Sequence, residues 1–282
     1  MSASSVLCVI EAHEKIKDGF VRMLGEIAAC GQVLTRPSRE PMGGLIHEGR
    51  LLIKRARALL WFARPAMGST THTRALTRLR RGAGLLADQR DLAVMQATLE
   101  ELASQAPPDS RDRAALEEVF QKLVRDSTAG GATKKKLRQM LQKAMRILRQ
   151  SVNDIQRSAA RRATWPSPCE RVKKAFHEMC HAGKQARRTG RDADFHEWRK
   201  KAKRLLYQLE LTQPEPGRRM ARVMERVAKL QDTLGADHDG VVVEDCLRSQ
   251  IPLSPSARRV LRLLKKRKAR LRKKACKIAR RV

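Results

Sequence analysis

The sequence predicts an all-α protein, and three observations predict it. Apolar residues recur at i, i+3, i+4 and i+7 through segments of about 10–30 residues, the repeat of a helix with one buried face. Only 3% of residues are aromatic, which speaks against a β-rich fold. The segments are separated by clusters of turn and cap residues, and no convincing strand lies between them.

Taken in chain order, the N-terminal stretch MSASSVLCVIEAHEK lacks a basic n-region and has an apolar run of only about five residues, so no secretory leader is expected. IHEGRLLIKRAR (46–57) is a basic amphipathic helix. At about 100° per residue, His47, Arg50, Lys54 and Arg57 fall in a stripe about 80° wide, with Leu45, Leu52, Ala56 and Leu59 on the opposite side. Helical segments then follow between the breaks SQAPPDS (104–110), DSTAGGAT (126–133), ATWPSP (163–168), RTGRDAD (188–194), QPEPG (213–217) and SQIPLSPS (249–256). One of them carries Leu137, Leu141, Ala144 and Leu148 on one face, with Arg138, Arg146 and Arg149 on another. The run VVV (241–243) is short and sits inside a helical pattern. The last helix, RRVLRLLKKRKARLRKKACK (258–277), is basic on most faces and is expected to bind polyanions on its own.

The basic helix occurs twice. FHEWRKKAKRLL (195–206) repeats the first copy at an offset of 149 residues, pairing His47 with His196, Glu48 with Glu197, Arg50 with Arg199, Lys54 with Lys203 and Arg55 with Arg204. His196, Arg199 and Lys203 rebuild the stripe, while Ala202, Leu205 and Leu209 turn away from it. The expected organisation is therefore a duplicated helical bundle divided near Thr164, with halves 1–163 and 164–282 and a motif core that starts at about residue 40.

Composition sets the class of partner. With 61 Lys+Arg against 29 Asp+Glu, the 282-residue chain has a formal net charge of +32. So large an excess repels itself unless counter-ions or a polyanion neutralise it. Nucleic acid, an acidic membrane surface, polyphosphate or an acidic protein could fill that role. Yet 41% of residues are hydrophobic and recur at helical spacing, so the charge sits on a folded domain rather than on a basic tail. The scarcity of aromatics also argues against stacking platforms for single-stranded bases. Six widely spaced cysteines (8, 30, 169, 180, 246 and 276), with no C-x-x-C pair, read as reduced thiols of a cytoplasmic protein. No stretch approaches the roughly 18 apolar residues of a membrane span.

Each basic helix is followed by a second related segment. LRRGAGLLADQRDLAV (79–94) follows the first and VAKLQDTLGADHDGVV (227–242) the second, aligning Leu86 with Leu234, Asp91 with Asp239 and Val94 with Val242. A His-headed basic helix and then an L-G-x-x-x-D turn, in two ordered copies, resembles the CHAD family of conserved-histidine α-helical domains. The resemblance spans about residues 40–250. It is carried by His47, Glu48, Arg50, Lys54, Arg55, Arg57, Leu86, Arg90 and Asp91 in the first half. In the second it is carried by His196, Arg199, Lys203, Leu205, Tyr207, Glu210, Gln231, Leu234, Gly235 and Asp239. Three positions depart from the pattern: Ala87 stands where the first turn has Gly, Leu206 where the second helix has Arg, and His238 where Asn is frequent.

The resemblance implies two helical bundles related by a pseudo-two-fold, with the basic helices lining a central groove or pore. It also implies binding of inorganic polyphosphate, association with polyphosphate granules, and no catalysis by the domain itself. The candidate phosphate contacts are then His47, Arg50, Lys54, Arg55, Arg57, Arg78, Arg81 and Arg90 in the first half, and His196, Arg199, Lys200, Lys203 and Arg204 in the second. Arg and Lys donors suit a thin, flexible polyanion with no bases to read. The stripe from His47 to Arg57 is about 15 Å long at 1.5 Å per residue, enough for several phosphates. Asp91 and Asp239 read as helix N-caps or as partners that orient a neighbouring Arg.

His177-Glu178-Met179-Cys180-His181 matches H-E-x-x-H, a spacing that puts two His on one helix face for zinc, with Cys180 or His196 nominable as a third ligand. Lys173, Lys174, Lys184, Arg187 and Arg188 surround it and oppose a dication, so it reads as a polar helix face. Neither a phosphate-cradling G-x-x-x-x-G-K-[ST] nor a G-x-S-x-G is present. The expectation is a non-enzymatic polyphosphate binder with no cofactor and no metal. The alternative is a sequence-independent nucleic-acid-binding protein that uses the same basic surface.

Overall fold

The computed structural model describes residues 9–11, 13–130, 133–160, 165, 167–212, 217–249 and 252–282; at 88–91, 126–130 and 160 it describes the backbone alone. Eleven helices and no strand occur among the described residues. The chain forms two compact units, and each is assembled from separated stretches of sequence. The first comprises residues 1–88, 132–177 and 204–221, the second residues 89–131, 178–203 and 222–282. Each sequence half thus supplies segments to both units.

The first unit contains α1 (Ile16–Val33), α2 (Met42–Phe62), the short α3 (Arg64–Met67), α4 (Ser69–Gly84) and α7 (Lys134–Ala160). α7 packs against α1, α2 and α4. Its apolar stripe explains why: Leu141, Ala144, Met145, Leu148, Val152 and Ile155 are all buried, while Arg146 and Arg149 are exposed. α2 lays Leu45, Leu52, Ala56 and Leu59 into the same core, and these are the residues its sequence turns away from the basic stripe. α2 can come this close because Gly49 faces α7. A Cβ at that position would stand 2.8 Å from Leu141 Cδ1 and 3.2 Å from Met145 Cε.

The second unit contains most of α5 (Asp88–Gln105), α6 (Arg111–Gly130) and α11 (Pro255–Ala279), with parts of α8 (Pro168–Thr189), α9 (Asp192–Thr212) and α10 (Arg218–Arg248). Its core gathers Leu99, Leu102, Leu116, Val119, Leu123, Val243, Leu247, Val260 and Leu264, with α6 lying along α11.

The breaks in the sequence act where cap chemistry says they should. Ser110 Oγ accepts from Arg113 N (3.1 Å) to start α6, Thr133 Oγ1 from Lys136 N (3.3 Å) to start α7, and Ser254 Oγ from Ala257 N (3.1 Å) to start α11, where Pro255 takes the first helical position.

Two expectations are corrected. The L-G-x-x-x-D segment 234–239 is not a turn: α10 runs unbroken from Arg218 to Arg248, so Asp239 is no N-cap. The buried stripe Val227, Leu230, Leu234 and Val243 outweighs the turn propensity of Gly235 and Asp239. In the first copy the connection does fall between α4 and α5, but Asp91 lies three residues inside α5 rather than before it. The break expected from residue 126 begins later, because α6 continues to Gly130. The basic helix α11 also has a buried face. Ala257, Val260, Leu264, Arg267 and Ala275 are buried, and Arg259, Arg267, Lys268 and Arg272 are engaged in ion pairs described below.

Candidate binding site

The two basic stripes are built differently and are described in turn. On α9, the apolar side Phe195, Trp198, Ala202, Leu205 and Leu209 is buried, and this fixes the helix. Trp198 seats against Gly183 of α8, where a Cβ would lie 2.8 Å from the indole ring. The opposite side presents His196, Arg199 and Lys203. Arg199 and Lys203 open into a cavity of about 360 Å³ in the second unit. α10 contributes Gln231, Asp232, Gly235 and Asp239 to it, α5 contributes Glu101, and α11 contributes Arg267. Arg199, Lys203, Gln231, Gly235 and Asp239, all quoted above for the repeated motifs, thus share one cavity. Gly235 packs next to the Arg199 side chain: a Cβ there would lie in ordinary contact with Arg199 Nε, at 3.8 Å.

The cavity mixes charges. Arg267, whose side chain is 7% exposed, donates to Glu101 Oε2 and to the Ala236 carbonyl, each at 2.6 Å. Gln231 Nε2 donates to Asp232 Oδ1 at 2.7 Å. Lys200 pairs with Glu197 on the outer face of α9, so it neutralises a neighbour rather than lining the cavity. At the head of the stripe, His196 Nδ1 faces His238 Nδ1 at 3.2 Å, with ring centroids 4.4 Å apart. One imidazole must donate and the other accept, so the two rings cannot both be protonated while the bond stands. Burial, reinforced by the positive Lys200 and Arg199, pushes the pKa of His196 below the ordinary histidine value. At neutral pH it is therefore a hydrogen-bonding ring and not a cation.

In the first unit, α2 leaves His47 exposed and Arg50, Lys54, Arg55 and Arg57 half-buried. Arg50 Nη1 donates to the Leu86 carbonyl, which ties the stripe to the end of α4. Burial and the nearby Arg80 lower the pKa of the Arg57 guanidinium, with Tyr207 opposing the shift. Arg204 stacks on Trp61, its guanidinium carbon 3.7 Å from the ring centroid, and Arg171 donates to the Trp61 carbonyl. Edge-on to the same ring sits His72, 4% exposed, with no hydrogen-bond partner at Nε2. Burial and then Arg64, Arg204, Arg171 and Arg80 push its pKa down.

Arg78 pairs with Asp154 and lines a different groove, between α4 and α7, with Arg74 and Arg157. Arg81 is exposed on α4, and the Arg90 side chain lies outside the described residues. The H-E-x-x-H motif lies on α8 with both His177 and His181 exposed, and Glu178 Oε2 takes Lys201 Nζ at 2.8 Å. No group of three or more His, Cys, Asp or Glu able to hold a metal occurs among the described residues.

Sequence reasoning missed Arg267 and Glu101 as cavity walls, His238 as the partner of His196, and the Trp61–His72–Arg204 stack. A signal for the first existed: Val260, Leu264 and Arg267 follow the helical repeat of buried positions. The other pairings join residues far apart in sequence and leave no local trace.

A helical domain with a repeated His-headed cationic helix defines the class, and sequence comparison gives the family. The CHAD domain model matches residues 38–248. The chain belongs to the CHAD family. Its fold resembles the crystal structure of the CHAD domain from the plant Ricinus communis, with a TM-score of 0.61 at 14% identity, covering 96% of this chain and 85% of that one. No curated protein is similar enough in sequence to count as a relative. No helix among the described residues is long and apolar enough to cross a membrane.

Proposed function

We propose that this CHAD protein binds inorganic polyphosphate, without turning it over, through the cationic stripes of its two related helices. The observation that carries the reading is the α9 cavity, where Arg199 and Lys203 stand with Gln231, Gly235 and Asp239 in a chain of net charge +32. Guanidinium and ammonium groups on a rigid helix recognise phosphate oxygens with little ordering cost. The α2 stripe, with Lys54 and Arg57, repeats the same cationic spacing in the first unit and supplies a second set of phosphate donors. A basic groove lined by both copies, in a cytoplasmic protein that attaches to polyphosphate granules, is the arrangement this reading implies.

Nucleic acid is the competing polyanion. Val33 is the one exposed large hydrophobic among the described residues, and Trp61 is covered by Arg204, which leaves no aromatic platform for unpaired bases. The test is polyphosphate titration of the wild type and of Lys54→Glu/Lys203→Glu across salt concentrations, with duplex DNA as competitor. Tight binding that falls with salt, survives excess DNA and collapses in the double variant supports the reading. Binding unchanged in the variant, or displaced freely by DNA, overturns it. Release of orthophosphate would show that the protein is an enzyme.

A further inference from the structure

A second concave surface lies elsewhere in the second unit, where α6 meets the start of α11. It encloses about 480 Å³ and is lined by Arg111 of α6 and by Arg258, Arg259 and Arg262 of α11. Arg258 and Arg262 stand one helical turn apart and so share a face. Among the described residues, one of the four guanidinium groups is neutralised: Arg259 Nη1 bonds Asp112 Oδ1 at 2.8 Å. The single carboxylate in the wall, Glu118, is turned to a hydroxyl instead, accepting from Ser256 Oγ at 2.6 Å. Among the described residues, Arg111, Arg258 and Arg262 make no ion pair. Three like charges on one concave wall repel one another, and a multiply charged anion removes that cost.

We propose that this pocket is a separate site for a short inorganic oligophosphate, or for one end of a longer chain. Guanidinium forks match phosphate oxygens bidentately, and the higher charge of an oligophosphate offsets the repulsion of several arginines better than a single carboxylate does. The remaining walls are alanine, proline and serine, with no aromatic ring to take a base, so the triphosphate moiety is recognised without a nucleoside. The α11 wall, residues 255–262, lies beyond the matched CHAD region. The site shares no residue with the α9 cavity and stands whether or not that cavity binds polyphosphate.

The test uses inorganic tripolyphosphate and the full chain carrying Lys54→Glu/Lys203→Glu, the double variant in which binding at the repeated helices is expected to collapse. Calorimetric titration of this parent is compared with the same chain bearing Arg258→Gln/Arg262→Gln, and with one bearing Lys265→Gln/Lys273→Gln. The lysine pair removes the same charge from exposed positions on the same helix. The arginine variant is expected to bind about tenfold more weakly, the lysine variant to bind nearly as the parent, and ATP to bind no better than tripolyphosphate. Arg111→Gln, on α6, repeats the loss independently, and unchanged circular dichroism excludes misfolding as its cause. Equal losses in the arginine and lysine variants, or no loss in either, would overturn the proposal, as would a clear preference for ATP.

Discussion

The helices α2 and α9 carry the same basic spacing and use it differently. On α2, His47 faces solvent and Arg50 is tied to the Leu86 carbonyl, while on α9 the matching His196 is half-buried against His238 and the matching Arg199 lines a cavity with Lys203. The helices packed alongside account for the difference. α2 meets α7 through Gly49, which draws its apolar side in, whereas α10 meets Arg199 at Gly235 and leaves a concave wall there. Spacing puts charges on a face, and the neighbouring helices decide whether that face opens into a cavity or is tied to the backbone.

The largest effect expected is on the α9 side of this comparison. Gly183→Val would drive a side chain into the buried Trp198 ring, and should destabilise the fold by about 3 kcal/mol in chemical denaturation. Gly49→Val, against the more yielding Leu141 and Met145 side chains, should cost less. An equal or larger loss at Gly49 would show that α2 is the more tightly seated helix.

Next comes binding. Arg199→Glu or Lys203→Glu should weaken polyphosphate binding more than Lys54→Glu does, by about tenfold against severalfold in a salt-matched titration. The reverse ranking would make α2 the principal arm.

A smaller effect distinguishes the buried histidines. His72 and His196 have pKa values below the ordinary value in the folded state, so the unfolded chain takes up protons first as pH falls. Stability is therefore full above about pH 6.5 and is lost as pH falls from there toward the folded values. Melting temperature should drop on acidification from pH 7 to 5, and His72→Gln should flatten that drop. A melting temperature independent of pH in this range would contradict the environments of both rings. The smallest effect belongs to Arg78→Ala. Its half-exposed pair with Asp154 should contribute about 0.5 kcal/mol or less.

Much of this was legible in the sequence, for identifiable reasons. Periodicity is local, so the buried faces of α2 and α9 follow from residue spacing, and Ser110, Thr133 and Ser254 announce helix starts through cap chemistry that needs no distant partner. The motif residues Arg199, Lys203, Gln231, Gly235 and Asp239 could be singled out individually. That they share one cavity could not, because the packing of α9 on α10 is a tertiary fact. Gly235 and Asp239 misled for a related reason. Their turn propensity is worth about 1 kcal/mol, less than the burial of Val227, Leu230, Leu234 and Val243 in one continuous helix. The internal ion pairs of Arg267, Lys268 and Arg272 could not be read from α11, because their partners lie on other helices. Lys268 bonds Glu244 at 2.7 Å, and Arg272 bridges Asp192 and the buried Asp237. The chain's interleaving between its two units leaves no local mark at all.

The most direct test of the central claim is lysine footprinting: acetylation rates of Lys54, Lys203 and the exposed α11 lysines, measured by mass spectrometry with and without polyphosphate. Polyphosphate binding at the repeated helices predicts strong protection of Lys203, protection of Lys54, and little change at Lys273 and Lys274 of α11. Protection confined to α11, with Lys203 and Lys54 reacting as in the free protein, would contradict it.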